Sequence, residues 1–325
     1  MTARLTRVAP LFVVLVDDRP RFSGRVEALS STSDARQSMT QSFVVRTKLS
    51  DAAYASAPQG LHLKGASIKQ FVLACYQAIG LTERDFDFRG DVSRDIMTGR
   101  NSRGQRPPVA LDPLTEEQAK VAPPETVFAA VDRHLRRHGL LHWDGADGRI
   151  VVAPPDDQQE PVFSLCSYRP PYGHLNNIMS IERTSDVSES PTVLGVFSCG
   201  SNSSFAKAKI STVLHNEELI ARGFRRTVLI LDESLKTKAI AGRRANREFA
   251  TRNRGLDRLV VTVDGLSYPE GGELLPWAPD TTVDIVAAQL GGALGSYYVE
   301  EVEMSRSIEG DRTTLTLVRQ GVWVL

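Results

Sequence analysis

Two histidines, His134 and His138, stand four residues apart in a segment of helical spacing, which sets two imidazoles on one side of a helix as a metal ion requires. A metalloprotease helix carries its general base directly after the first histidine, but position 135 is Leu, and His142 falls on the following strand. The pair therefore reads as a solvated basic helix end, where cations meet unpaired carbonyls. Cys166, His174, Cys199 and His215 are the right residue types for zinc, yet their intervals match no knuckle. The Asp144 to Gly148 stretch lacks the alternating carboxylates and closing Glu of a calcium loop and reads as a hairpin turn. Gly291, Gly292 and Gly295 follow an apolar strand without GxGxxG spacing, so a strand connection is expected there. There is no GxSxG elbow, no P-loop and no carboxylate pair suited to glycoside cleavage. The residues thus point to no catalytic group, no metal and no cofactor, and a non-enzymatic chain is the expectation.

One charged feature stands out. Lys236 to Arg258 contains eight Lys or Arg residues against only Glu248 and Asp257. Its one-turn spacing of Ala241, Ala245 and Phe249 gives a narrow apolar stripe, leaving Arg243, Arg244, Arg247 and Arg252 for the remaining surface. A solvated face is one reading; docking on an acidic partner surface, where guanidinium groups pair with carboxylates, is the other. Over the whole 325 residues, 39 basic side chains balance 39 acidic ones, so no net field draws nucleic acid, and sequence-specific nucleic-acid binding is not expected. Three cysteines (Cys75, Cys166, Cys199) without CxxC spacing fit assembly in a reducing cytoplasm. The apolar run Leu11 to Val16 falls far short of the roughly 20 residues of a membrane helix and reads as a buried strand, so no membrane insertion is expected.

The elements that carry these residues follow from local patterns. Leu11–Val16, Phe22–Leu29 and Gln41–Lys48 predict a three-stranded meander, with a turn at Asp17, Asp18 and Pro20 and an exposed Ser30–Ser38 loop. Ser67 caps a helix carrying Ile68, Phe71, Val72, Cys75 and Ile79, stopped by Gly80. Charges, Gly and Pro from Asp85 to Pro124 predict a long loop, its Arg89 to Arg106 stretch rich in interleaved Arg and Asp. A second helix starts near Pro123-Pro124, presents Val127, Phe128, Val131 and Leu135, and ends at Gly139. A hairpin follows, Leu140–Trp143 and Arg149–Ala153. Later strands are expected at 178–182, 192–199 and 227–231, the last suited to burial on both faces, then a third helix over 235–252. The closing third should be all β: 259–263, 283–286, 297–304, 313–318 and 322–325.

Taken in order, four strings resemble the baseplate hub family of contractile phage tails. This family is typified by the hub of phage Mu and is related to the T-even hub and to the N-terminal part of the type VI secretion spike. The strings are FVVLVDDRPRFSGRVEALSSTSDARQSMTQSFVVRT (Phe12 to Thr47), PETVFAAVDRHLRRHGLLHWDGADGRIVV (Pro124 to Val152), IERTSDVSESPTVLGVFSCG (Ile181 to Gly200) and GRRANREFATRNRGLDRLVVTVDG (Gly242 to Gly265). The C-terminal run with Leu275, Trp277, Val283, Tyr297 to Val302 and Thr313 to Leu317 is similar to the family's closing β region.

The resemblance implies an α+β, β-dominated fold: two barrel-like tube domains with a smaller inserted α/β domain, assembled as a trimeric ring. Residues 1–60 would form the first barrel, completed by a segment around 162–200, and residues 61–160 the inserted domain with its long loop 85–123. Residues 161–265 would hold connecting strands, the basic helix and the second barrel, and 266–325 the C-terminal β region. Typical hubs have further strands before the first hairpin, whereas ten residues precede Leu11 here, so a later segment or a neighbouring subunit is expected to complete that barrel. The implied role is structural: a homotrimer in the virion tail baseplate, assembled in the host cytoplasm, that joins the threefold central spike to the sixfold tail tube and touches baseplate wedge proteins. The candidate partner surfaces are Arg243, Arg244 and Arg247 with Arg89, Arg94 and Arg100, and charge reversal on the basic helix is expected to leave the subunit folded. Two other classes compete: a peptidoglycan-degrading tail component, and a carbohydrate-binding β module stacking sugars on Trp143, Trp277, Tyr297 and Tyr298.

Overall fold

The computed structural model describes residues 11–33, 39–63, 66–89, 120–198, 210–232, 235, 237–270 and 272–322. They fall into two compact units, Met1–Arg136 with Leu140–Pro154, and Arg137–Gly139 with Pro155–Leu325. Strands outweigh helices in both, so the chain is α+β and β-dominated, in agreement with its many short apolar runs.

The first unit begins with the meander. Strands β1 (Leu11–Val16), β2 (Arg19–Ser33) and β3 (Met39–Arg46) pair antiparallel in that order. Asp17 and Asp18, at φ of 53° and 58°, form the turn between β1 and β2. A two-residue hairpin needs a left-handed pair of this kind, and Asp tolerates that region better than most residues. Pro20 lies across from Leu15, where the β1–β2 register shifts, so its missing N–H interrupts no regular ladder.

The unit's core is built by helices α1 (Lys48–Tyr54), α2 (Ile68–Gln77) and α3 (Val127–Arg137) against a small sheet of β4 (Phe86–Phe88), β5 (Leu141–Asp144) and β6 (Ile150–Ala153) in the order β4-β6-β5. Ser67 and Gln70 form a reciprocal capping box, and Gly80 takes φ 78° after the helix end, so α2 starts and stops where its sequence says. Phe71, Tyr76, Leu135, Leu140 and Ile150 are fully buried together. The start of α1 is capped from a distance: the Asp144 carboxylate accepts from Thr47 Oγ1 at 2.5 Å and from the Leu49 N–H. Burial outweighs these bonds and holds the Asp144 carboxyl above its ordinary range.

In the second unit, β7 (Phe163–Ser167), β8 (Ile178–Thr184), β12 (Arg258–Asp264), β15 (Thr282–Ala287), β16 (Gly292–Ser307) and β17 (Gly310–Arg319) form a six-stranded sheet in the order β7-β15-β16-β17-β12-β8. The sheet curls until its two end strands meet. Asn177 N–H donates to the Cys166 carbonyl at 3.1 Å, its side-chain oxygen accepts from Cys166 N–H at 2.7 Å, and its amide donates to Ser164 O at 2.8 Å. Phe163, Leu259, Val283, Tyr297, Leu315 and Leu317 fill the interior. Trp277 packs there on Phe163 with ring centroids 4.6 Å apart. It belongs to the hairpin region formed by β13 (Ser267–Glu270) and β14 (Glu273–Pro276).

A second sheet in this unit, β9 (Val193–Ser198), β10 (Ile210–His215) and β11 (Thr227–Leu231), has the order β10-β9-β11, with the short helix α4 (Glu217–Ala221) between its last two strands in the chain. Helix α5 (Lys238–Asn253) covers one face, where Val196 is buried with Ile240, Ala241 and Ala245. Two sequence expectations are corrected here. β11 is an edge strand with alternate residues exposed, not one buried on both faces, because among the described residues α5 covers one face of this sheet. On α5 itself, Arg243 and Arg247 are only 6% and 5% exposed and do not belong to a solvated face, while Phe249 is only half-buried. A helix seated against more than one surface buries residues all around its girth, and a single apolar stripe underestimates that. β17 ends at Arg319 and Val322 lies in a turn; the rest of the expected terminal strand, residues 323–325, lies outside the described residues.

Candidate interaction surfaces

The residues first weighed for chemistry serve the packing, and the solvated helix end expected at His134 and His138 is corrected, since both are buried. His134 is buried against Phe71, ring centroids 4.1 Å apart, and His142 meets Phe128 edge-on at 4.4 Å. His138 is buried near Arg137 and Arg243, and neither ring nitrogen has a hydrogen-bond partner. Burial first, then the two guanidinium charges, push its pKa down to about 3, so the ring stays neutral. The Cys166 thiol donates to Leu175 O at 2.8 Å, His174 Nδ1 lies 3.3 Å from Pro171 O, His215 is exposed on β10, and Cys199 lies outside the described residues. Among the described residues no group of three or more His, Cys, Asp or Glu side chains is arranged to hold a metal ion. No helix among them is long and apolar enough to cross a membrane.

Asp147 turns the β5–β6 hairpin by accepting from its neighbour's backbone and side chain at Arg149, as a turn residue does. Gly291 and Gly292 lead into β16, and Gly295 takes φ 92° beside a register shift in that strand, which is a structural use of glycine. Trp277, Tyr297 and Tyr298 are buried and Trp143 is half-buried, so the proposed sugar-stacking platform is not formed by these rings. An open cleft of about 340 Å³ in the second unit is lined by Asp186, Arg252, Arg254, Arg258, Glu300 and Thr316, with both signs of charge intermixed.

The arginines named from sequence divide into three groups. Arg243 and Arg247 are buried. Arg244 and Arg252 each pair with Glu248, one turn away on the same helix, at 3.4 and 2.8 Å. Arg89 pairs with Asp87 at 2.9 Å, and Arg94 and Arg100 lie outside the described residues. What the residue-by-residue search for chemistry missed is apolar. Phe12, Val13, Val14 and Leu15 of β1, Leu29 of β2, and Phe43 and Val44 of β3 are between 38% and 57% exposed. Successive strand residues point to opposite faces, so Phe12 and Val14 face one way and Val13 and Leu15 the other. No residue of these three strands belongs to a buried cluster among the described residues. The run LFVVLV signals a strand that wants burial, but it cannot say whether the cover comes from the same chain: the expected buried strand is half-exposed in the chain by itself.

No family model matches the sequence, and no curated protein does. Solved structures do match the fold. A tail protein from Neisseria meningitidis superposes with a TM-score of 0.75 at 18% identity, over 99% of this chain and 87% of the other. A 43 kDa tail protein of prophage MuSo2 from Shewanella oneidensis gives 0.71 at 15% identity, over 98% and 88%. A prophage tail protein from Listeria monocytogenes gives 0.52 at 13% identity, over 90% and 76%. The class defined is therefore one of fold: this chain has the β-dominated fold found in phage tail proteins, along nearly its whole length.

Proposed function

We infer that the chain is a structural subunit of a contractile phage tail or tail-like injection machine. Its role is that of the baseplate hub, a homotrimer that joins the threefold central spike to the sixfold tail tube and is flanked by wedge proteins. In this reading the curled six-stranded sheet and the exposed meander belong to two barrel-like tube domains that alternate around a ring in the virion.

The observation that carries the reading is the β1–β2–β3 sheet, apolar on both faces and without a core of its own. A sheet of three strands needs a covered face to be stable, and contiguous exposed apolar surface marks an assembly contact. Each half-exposed Val, Leu or Phe gains about 1 kcal/mol when the rest of it is buried, so covering seven of them supplies a substantial part of an obligate interface. The open edges of β1 and β3 add main-chain donors and acceptors for a neighbouring strand. A closed ring of copies satisfies both, because cyclic assembly gives every copy the same cover and leaves none open. The fold shared with tail proteins supports the same reading.

The test is sedimentation and negative-stain imaging of the purified full chain beside the double variant Val14→Asp, Phe43→Asp. A threefold ring for the native chain that becomes monomeric in the variant is the expected result. A native chain that stays monomeric at every concentration, or clears peptidoglycan in a zymogram, overturns it.

A further inference from the structure

The mixed-charge cleft of the second unit is made by a break in strand pairing. Along β16 and β17, Val299 stands opposite Leu317 and Glu301 opposite Thr316, which leaves Glu300 as the extra residue of a β-bulge. Regular alternation sends neighbouring residues to opposite faces of a sheet, but here Glu300 and Glu301 line the same cleft. Thr316 lies between them and the next strand. Leu315 and Leu317 on either side of it belong to the core, so Thr316 faces outward, at the base of the cleft. Arg258 comes from β12, on the far side of β17, and its backbone stands roughly 10–12 Å from that of Glu301. Arg254 lines the cleft from the turn Arg254–Leu256 that follows α5.

Two observations mark the cleft as a place for a ligand. Thr316 is only 8% exposed, and its hydroxyl makes no hydrogen bond among the described residues, so a nearly buried polar group is left for whatever enters. Opposite charges also share the space without closing on each other. Arg254, Arg258 and Glu301 form no ion pair among the described residues.

The lining defines what fits. Apart from Gly255, every lining residue is charged or bears a hydroxyl, so there is no aliphatic wall for a lipid chain and no ring on which a sugar or base could stack. The lining carries four carboxylates, Asp186, Glu189, Glu300 and Glu301, against three guanidinium groups, and one of these, Arg252, is held by Glu248 on its own helix. That excess of negative charge disfavours phosphate. A bare metal ion finds no group of three or more suitable side chains among the described residues. A cation and a carboxylate presented together satisfy both walls, and a volume of about 340 Å³ is at the small end of ligand sites.

We propose that this cleft binds a peptide segment in which Lys or Arg stands two residues from Asp or Glu. In an extended segment that spacing puts both side chains on one face, about 7 Å apart, which the reach of the facing side chains extends to the width of the cleft. The cation meets Glu300 and Glu301, the carboxylate meets Arg254 and Arg258, and a main-chain group between them bonds the Thr316 hydroxyl. The proposal does not rest on the tail-subunit reading.

The test is saturation-transfer difference NMR on the purified full chain with the blocked peptide acetyl-Gly-Lys-Ser-Asp-Gly-amide. Beside it stand the same peptide with Gln for Lys, the same with Asn for Asp, and phosphoethanolamine. The Lys–Asp peptide should bind at least about fivefold more tightly than either singly charged one. Glu301→Gln should remove the advantage of Lys over Gln, and Arg258→Gln the advantage of Asp over Asn. Thr316→Val keeps the β-branched shape and should weaken all three peptides about threefold to tenfold. Circular dichroism checks that each variant is folded, and the peptide series on the native chain decides independently of the variants. No saturation transfer to the Lys–Asp peptide, equal binding of the three peptides, or tighter binding of phosphoethanolamine overturns the proposal. So does a preference that survives Glu301→Gln and Arg258→Gln, or binding that Thr316→Val leaves unchanged.

Discussion

Tyr297 Oη donates to Asp257 Oδ2 at 2.8 Å, and the same carboxylate receives Arg183 through two bonds of 2.8 and 3.0 Å. The phenol reaches from β16 past β17 to the chain entering β12, and Arg183 comes from β8, so one carboxylate ties three strands of the curled sheet. Tyr297→Phe keeps the packing and the Arg183 pair and removes one bond to a charged acceptor. It is expected to cost about 1–3 kcal/mol in urea unfolding.

The same phenol sets an alkaline limit. Burial, then the hydrogen bond to Asp257 and its charge, raise Tyr297 to about 12 from its ordinary value of 10. Above pH 10 the unfolded chain loses this proton while the folded chain keeps it, so stability is full below 10 and falls as the pH rises toward 12. Tyr297→Phe should flatten part of that decline, measured as the unfolding midpoint at pH 8 and pH 11. A decline of unchanged steepness in the variant would show that this phenol does not contribute.

On the acid side the governing group is His138. Its ring is held neutral down to about 3, whereas the unfolded chain protonates it near 6.5. The folded pKa is depressed, so the contribution is complete above pH 6.5 and is lost as the pH falls toward 3. His138→Leu removes a buried ring with unbonded nitrogens together with this linkage. Stability between pH 4 and 6 should become less dependent on pH in the variant, with a gain on the order of 2 kcal/mol at pH 4. An acid limb identical to the native one sinks the assignment.

These predictions lie where the sequence is least informative, for a physical reason. Helix α2 was legible because its signals are local: Ser67 and Gln70 cap it and Gly80 ends it within one stretch of chain. The β5–β6 hairpin was legible in the same way through Asp147 and Gly148. The strand β1 was legible as a strand but its exposure was not, since an apolar run carries no record of which chain will cover it. The burial of Arg243 and Arg247 was hidden for a related reason: eight cations on one segment look solvated until the surfaces packed on α5 are known. The β7–β8 connection has no periodicity at all, and the partners of Asn176 and Asn177 are brought into reach only by the fold.

The buried arginines reverse an expectation about charge reversal. Arg247→Glu puts a carboxylate where a guanidinium is nearly fully enclosed, and should destabilise the second unit by about 3–5 kcal/mol, enough to make the chain insoluble or unfolded. Arg244→Glu, at a partly exposed site with a same-helix Glu248 partner, should cost under about 1 kcal/mol. Thermal denaturation of the two single variants separates the cases. A well-folded Arg247→Glu chain that merely fails to assemble would restore the picture of a solvated docking face.

Closure of the curled sheet depends on one side chain more than on any backbone pair. β7 and β8 meet through a single backbone bond, Asn177 N–H to Cys166 O, while the Asn177 amide adds two more, from Cys166 N–H and to Ser164 O. Asn177→Ala deletes both and leaves a backbone donor and acceptor at the seam without their partner, at a cost of about 2–3 kcal/mol. Asn177→Asp keeps the acceptor and loses the donor, so it should fall between Ala and the native chain. Hydrogen exchange locates the effect. Amides of residues 164–168 and 178–180 should exchange faster in Asn177→Ala, while those of β16 and β17 at the middle of the sheet keep their protection. Uniformly faster exchange across all six strands would mean that the seam is not a local clasp but a condition for the sheet as a whole.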